Sequence, residues 1–258
     1  MRRKFLLTVF MGAGLLGASL LGFIPVLGCW LRRLRPTGAL QEQQFLAACI
    51  KCGQCVQVCP VEAIKLADLD EGFGVGVPYI DARAQACDFS CDGLQCVLAC
   101  PTGALTHELN YSHETDMGIA KVVSAATCLA VQGKGFRGQA RGAEFTGTLR
   151  YEAVDRWNPI PVRDHPYDLE LCDLCVRQCP IEIRIAQCEA GTPPSGDERQ
   201  CPPVHAIELQ AVADANGVNR MLPVILDGCV GCGVCEMICP VEPTVIVIDS
   251  SESRGMSA

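Results

Sequence analysis

Cys49-Ile-Lys-Cys52-Gly-Gln-Cys55-Val-Gln-Val-Cys59-Pro60 is a C-x2-C-x2-C-x3-C-P run, and its reading decides the fold of the chain. Three thiolates on one tight loop can hold three irons of a cubane. The fourth cysteine, turned away by the proline, ligates the neighbouring cluster in two-cluster ferredoxins. The same spacing returns near the far end as Cys229, Cys232, Cys235 and Cys239-Pro240. A zinc ribbon needs only paired C-x2-C knuckles, so it accounts for neither the third cysteine nor the C-P ending. Both runs read as [4Fe–4S] ligand sets.

Two less regular runs lie between them. Cys87-x3-Cys91-x4-Cys96-x3-Cys100-Pro101 keeps four cysteines and the C-P ending with a looser start. Cys172-x2-Cys175-x3-Cys179-Pro180 has three, spaced as Cys52, Cys55 and Cys59-Pro60 are, so its missing ligand is the first and lies upstream. Cys128, separated from Cys172 by 43 residues, is the free cysteine there. Cys201-Pro202 competes, because the Pro-Val-His-Ala-Ile that follows it echoes Pro-Val-Glu-Ala-Ile after Cys59. The spacing favours Cys128, since Cys179-Pro180 already fills the C-P role. Sixteen of the nineteen cysteines are then ligands of four [4Fe–4S] clusters. Of the others, Cys188 and Cys201 enclose a 12-residue loop that a disulfide could close in an oxidising compartment.

Charge divides the chain. Residues 1–35 carry six Lys or Arg and no acid, whereas residues 36–258 carry 15 basic and 29 acidic side chains, a net −14. A basic nucleic-acid surface is therefore excluded as the working face. Aromatic residues are only 5% of the chain, so metal ligation is expected to supply much of the folding free energy. Arg2-Arg3-Lys4-Phe5-Leu6 has the pattern of a twin-arginine signal, and residues 5–31 are free of charge for 27 positions. As a helix that stretch would reach about 40 Å, against a bilayer core of about 30 Å. No A-x-A site precedes Arg32-Arg33-Leu34-Arg35, so a retained anchor is expected over a cleaved signal. Cys29, in Val26-Leu27-Gly28-Cys29, resembles a lipoprotein box. The extension of the apolar run through Trp30 and Leu31 favours a cysteine packed within a membrane helix.

Short β-like stretches accompany the runs: 63–66, 104–106, 206–209 and 244–248 follow C-P endings or their echo, and 222–226 leads into the last run. A cycle of strand, cluster loop, short helix and strand is the ferredoxin repeat, and four runs imply two such modules. Gly- and Pro-rich residues 133–170 and 188–203 read as inserted surface excursions. Gly72-Phe73-Gly74-Val75-Gly76 lacks both nucleotide-loop signatures and reads as a turn ahead of Pro78-Tyr79-Ile80. His107, His113, His165 and His205 are scattered, and no C-x-x-C-H haem site or catalytic constellation stands out.

Arg35-Pro36-Thr37-Gly38-Ala39-Leu40, with Phe45-Leu46-Ala47-Ala48 running into the first motif, resembles the NapG and MauM ferredoxin-type proteins of periplasmic nitrate reduction and methylamine utilisation. The likeness continues through Gly76-Val77-Pro78-Tyr79, Ala99-Cys100-Pro101-Thr102-Gly103-Ala104-Leu105, Thr127-Cys128-Leu129-Ala130-Val131-Gln132-Gly133, residues 172–180 and the final run. The position after Thr127 supports Cys128 as a ligand. The resemblance implies a four-cluster electron-transfer subunit exported by the twin-arginine machinery. Its partners would be a polytopic membrane protein that oxidises quinol and a periplasmic reductase or dehydrogenase. The chain departs from the family pattern in the spacing of Cys87 and Cys91, in the long insert, and in the extra Cys188 and Cys201.

The sequence thus reads as an α+β polyferredoxin of two ferredoxin-like modules: residues 1–35 as signal or anchor, residues 36–258 as the four-cluster body. It would sit at the periplasmic face of the bacterial inner membrane as a non-catalytic relay. The alternative is a maturation factor for a periplasmic redox enzyme; a redox sensor would need one labile cluster rather than four.

Overall fold

Each cysteine run folds as a loop that feeds a helix of about one turn, and a proline follows its last cysteine. The computed structural model describes residues 33–68, 74–91, 93–151, 158–212 and 220–252, with Gly14 and Gly17. In the first run, Lys51 and Gly53 take left-handed conformations (φ 58° and 74°) before helix α2, Gln54–Gln57. The preceding helix α1, Glu42–Ala48, buries Phe45 completely and delivers Cys49 at its end. In the second run Leu94 turns left-handed before α3, Gln95–Leu98. In the third, Asp173 precedes α4, Leu174–Arg177, and in the fourth Gly233 precedes α6, Val234–Ile238. A proline lacks the N–H a helix needs and disfavours helical backbone in the residue before it, so each turn stops at its cysteine. Pro180 instead opens α5, Pro180–Glu189, at the first helical position where its missing N–H costs nothing.

The strands form five antiparallel pairs among the described residues. In the N-terminal half β1, Ile64–Leu66, pairs with β2, Pro78–Ile80. In the C-terminal half β3, Ile119–Val122, pairs with β10, Ile246–Asp249, and β8, Ile207–Val212, pairs with β9, Arg220–Ile225. The remaining pairs, β4, Phe136–Gly138, with β7, Tyr167–Leu169, and β5, Thr148–Leu149, with β6, Ile160–Pro161, lie in the insert. Residues 104–106, expected as a strand, make only a single bridge from Leu105 to Ala39. Among the described residues no neighbouring strand extends the ladder there.

Residues 133–170 are more than a surface excursion. Leu149, Tyr151, Val162 and Tyr167 are buried, the two tyrosine hydroxyls lie 2.8 Å apart, and His165 stacks on Tyr151. The insert grips the loop that follows β2: Gln85 exchanges two hydrogen bonds with Thr148, and the Arg150 N–H donates to Asp88. Arg141 joins the halves by donating to the carbonyls of Arg83 and Met237. The segment 188–203 carries a disulfide, Cys188–Cys201. Among the described residues no helix is long and apolar enough to cross a membrane. The twin-arginine pair, Cys29 and, but for the two glycines, the uncharged stretch 5–31 lie outside the described residues.

Candidate iron–sulfur sites

Among the described residues sixteen unpaired cysteines gather in four sets that cut across the four runs. Cys49, Cys52 and Cys55 of the first run share a space with Cys100, the last cysteine of the second run; Phe45, Ile50, Pro78 and Leu105 help to line it. This is site I. Site II is the reciprocal set: Cys59, from the end of the first run, lies close enough to Cys91 and Cys96 to act on both thiols, and those two act on Cys87.

The C-terminal half repeats the exchange. Site III joins Cys128, Cys172 and Cys175 to Cys239 around one space. Site IV joins Cys229, Cys232 and Cys235 to Cys179 around another. Cys235 borders both spaces. The structure therefore brings Cys128 to the third set, while Cys201 is bonded to Cys188.

Helical geometry produces the exchange. In α2, Cys55 faces site I and Cys59, just past the C-terminus, faces site II; α3 carries Cys96 to site II and Cys100 back to site I. Four residues of helix rise about 6 Å, so one short helix reaches two neighbouring sites. The pair α4 and α6 does the same with Cys175 and Cys179, and with Cys235 and Cys239.

Glycine is required where the loops are most crowded. A Cβ on Gly231 would lie 2.3 Å from the Gly118 carbonyl oxygen, and one on Gly233 would lie 2.6 Å from Ala82 Cβ. At the position equivalent to Gly231 the first run has Lys51, whose stem packs over Gly76.

The donor chemistry fits an iron–sulfur cluster. A single tetrahedral zinc would draw four sulfurs to about 3.8 Å of one another and leave no chamber between them. Among the described residues no three His, Cys, Asp or Glu side chains converge as ligands of one ion. The thiols instead line shared spaces without meeting at one point. Burial, with neighbouring thiolates adding to it at several sites, pushes Cys55 and Cys172 up to about 11 and Cys96 and Cys179 up to about 12. Burial likewise pushes the Cys87, Cys232 and Cys235 thiols well above the usual range. Four thiolates in such a place need cationic iron to exist. The fourth ligands also receive donors: Ala63 N–H points at Cys59 Sγ (3.3 Å) and Leu105 N–H at Cys100 Sγ (3.5 Å). At Cys100 burial works upward, and the bonds from Leu105 and Thr102 outweigh it.

Several residues near the sites gave no signal in the spacing. Thr37 is buried with its Oγ1 4.0 Å from Cys87 Sγ. His107 Nε2 donates to the Cys100 carbonyl at 3.0 Å. Arg83 and Arg184 cross between the halves. Thr37 belongs to the Arg35–Leu40 stretch that carries the family likeness, which was the only pointer to it.

A family model described as "4Fe-4S dicluster domain" matches residues 48–131, and one described as "4Fe-4S binding domain" matches residues 226–242. The chain is 32% identical over 226 residues to the ferredoxin-type protein NapG of Escherichia coli (strain K12), covering 86% of this chain and 73% of that one. It is 32% identical over 209 residues to the methylamine utilization ferredoxin-type protein MauM of Paracoccus denitrificans (strain Pd 1222), covering 81% and 67%. No solved structure matches it. The chain belongs to the NapG/MauM family of ferredoxin-type 4Fe–4S electron-transfer proteins.

Proposed function

We propose that the chain holds four [4Fe–4S] clusters, one at each site, and conducts single electrons between a quinol-oxidising polytopic membrane protein and a periplasmic reductase or dehydrogenase. The observation that carries this reading is the division of sixteen unpaired cysteines into four sets of four, interlocked in two pairs. When bound, each cluster supplies a one-electron carrier. The protein's part is to hold the carriers in fixed relation, to bury their ligands and to direct N–H donors at the sulfurs. The substrate chemistry belongs to partners at either end. Export by the twin-arginine route, with residues 5–31 retained as an anchor on the periplasmic face of the inner membrane, completes the proposal.

Anaerobically purified protein is expected to contain about 16 iron and 16 sulfide per chain. Membranes lacking it should pass electrons from quinol to the periplasmic acceptor more slowly, while the isolated terminal enzyme stays active with an artificial donor. A terminal enzyme that emerges without its own cofactor would instead assign this chain to maturation.

A further inference from the structure

The two halves meet through particular sites. Cys87, a site II ligand, donates its backbone N–H to the carbonyl of Cys232, a site IV ligand, at 3.2 Å. Gly233 stands against Ala82 and Ala86, and Ala86 N–H points at Met237 Sδ (3.2 Å). The extra residue between Cys87 and Cys91 is used here. It lets Phe89 turn left-handed and offer its carbonyl to Arg184 Nη2 on α5 at 2.7 Å. Arg83 also reaches the carbonyl of Cys239 at site III, but with the full length of its side chain. Sites II and IV meet backbone to backbone.

The far end of the N-terminal half looks outward. Cys52 of site I is exposed, and Ile50 beside it is 63% exposed, with Leu46 and Leu66 also open to solvent. The chain leaves the described body on this side. Arg33 lies over the Tyr79 ring, Leu34 bridges to Ile80, and Pro78 of the same strand lines site I. Arg33 and Leu34, the first residues of the described body, thus lie against the strand that lines site I.

We propose that the four sites stand in single file in the order I, II, IV, III, with site I and its apolar rim as the end that meets the membrane partner. The membrane end rests on the relay reading above; the order does not. Sites I and II are linked by α2 and α3, sites II and IV by the seam at Cys87 and Cys232, and sites IV and III by α4 and α6. The first and last sites in the chain's own numbering of runs are therefore not the two ends of the file. The last run in sequence supplies an interior site.

Two double variants of the full-length chain test the order by pulsed dipolar EPR after chemical reduction. Cys52→Ala with Cys172→Ala keeps sites II and IV, and should show strong mutual spin coupling. Cys91→Ala with Cys232→Ala keeps sites I and III, and should show two uncoupled centres. The opposite pattern overturns the order. If either variant does not assemble, iron anomalous scattering from crystals of the wild-type holoprotein decides: the closest clusters of different halves must be II and IV, and any other pair refutes it. For the membrane end, native membranes are given a short-chain quinol and the reduced fraction is read by EPR. Cys172→Ala should leave the other three centres reducible at the wild-type rate, whereas Cys52→Ala should slow them at least tenfold. The reverse overturns the membrane end. Wild-type protein that quinol does not reduce removes both the relay reading and the membrane end, while the order stands or falls on the dipolar result.

Discussion

Thr37 is buried among sulfurs: its Oγ1 lies 3.7 Å from Met117 Sδ and 4.0 Å from Cys87 Sγ. A hydroxyl aimed at a cluster thiolate stabilises the more negative, reduced state. Thr37→Val keeps the shape and removes the donor, so one centre should fall in potential by roughly 40 mV, taking about 1 kcal/mol for the bond and 59 mV per tenfold change for one electron. A redox titration followed by EPR reads this; four unchanged potentials would refute the role. Glu182 works differently. Its carboxylate accepts from the N–H groups of Ala206 (2.6 Å) and Ile207 (3.2 Å), and pairs with His205 Nδ1 at 2.8 Å. The hydrogen bond and then the charge of Glu182 raise the His205 pKa above its usual 6.5. The pair's contribution is therefore fully present below pH 6.5 and lost as pH rises through the raised value. Because His205 is exposed, the effect is a few tenths of a kcal/mol at most. Thermal melts of wild type and His205→Gln should converge above that pH, and a difference that grows with pH would contradict the assignment. The cysteines were legible because their chemistry requires a spacing. Thr37 and Glu182 were not, since a threonine or glutamate acquires its role only from what the fold sets beside it.

Helix α6 ends without hydrogen-bond partners of its own for its last carbonyls, as every helix does. Arg83 supplies them from the other half: it donates to Glu236 O, to Cys239 O at 2.9 Å and to Val241 O at 3.0 Å, and pairs with Glu242 at 2.7 Å. Arg83→Ala should cost about 2–3 kcal/mol, and Arg83→Lys should not restore it, because an ammonium cannot span the same fork. Chemical denaturation of the holoprotein checks both, and full rescue by lysine would show that charge alone suffices. The strands near C-P endings were readable where a branched run met a partner, as in β1, β8 and β10. Strand β3, Ile-Ala-Lys-Val, is too short and too mixed to declare itself; it exists because β10 pairs with it across more than 120 residues of chain. Residues 104–106 looked similar in sequence and have no such partner. The insert concealed its structure for the same reason: strands of two or three residues leave no periodicity to read.

Each half of the molecule holds two sites of unequal exposure, and the seam makes the difference larger. Cys52 at site I is exposed, whereas Cys179, Cys229, Cys232 and Cys235 at site IV are all buried. An iron chelator should accordingly take about four irons from site I first and reach site IV last, followed by iron release against EPR signals; simultaneous loss from all sites would deny that the seam protects them. Which runs share a half was not legible, because the spacing within a run is silent about its neighbours. The Cys188–Cys201 bond lies away from all four sites, and it carries a consequence for the molecule's history. On the proposed export route the folded chain would leave a reducing compartment for an oxidising one, so this bond would form only after arrival. The disulfide is then a postmark. Chains held back by Arg2→Lys with Arg3→Lys should have both thiols open to alkylation, with every cluster in place, while delivered chains should have neither. A single state of the pair on both sides of the membrane would mean that it records nothing of the journey.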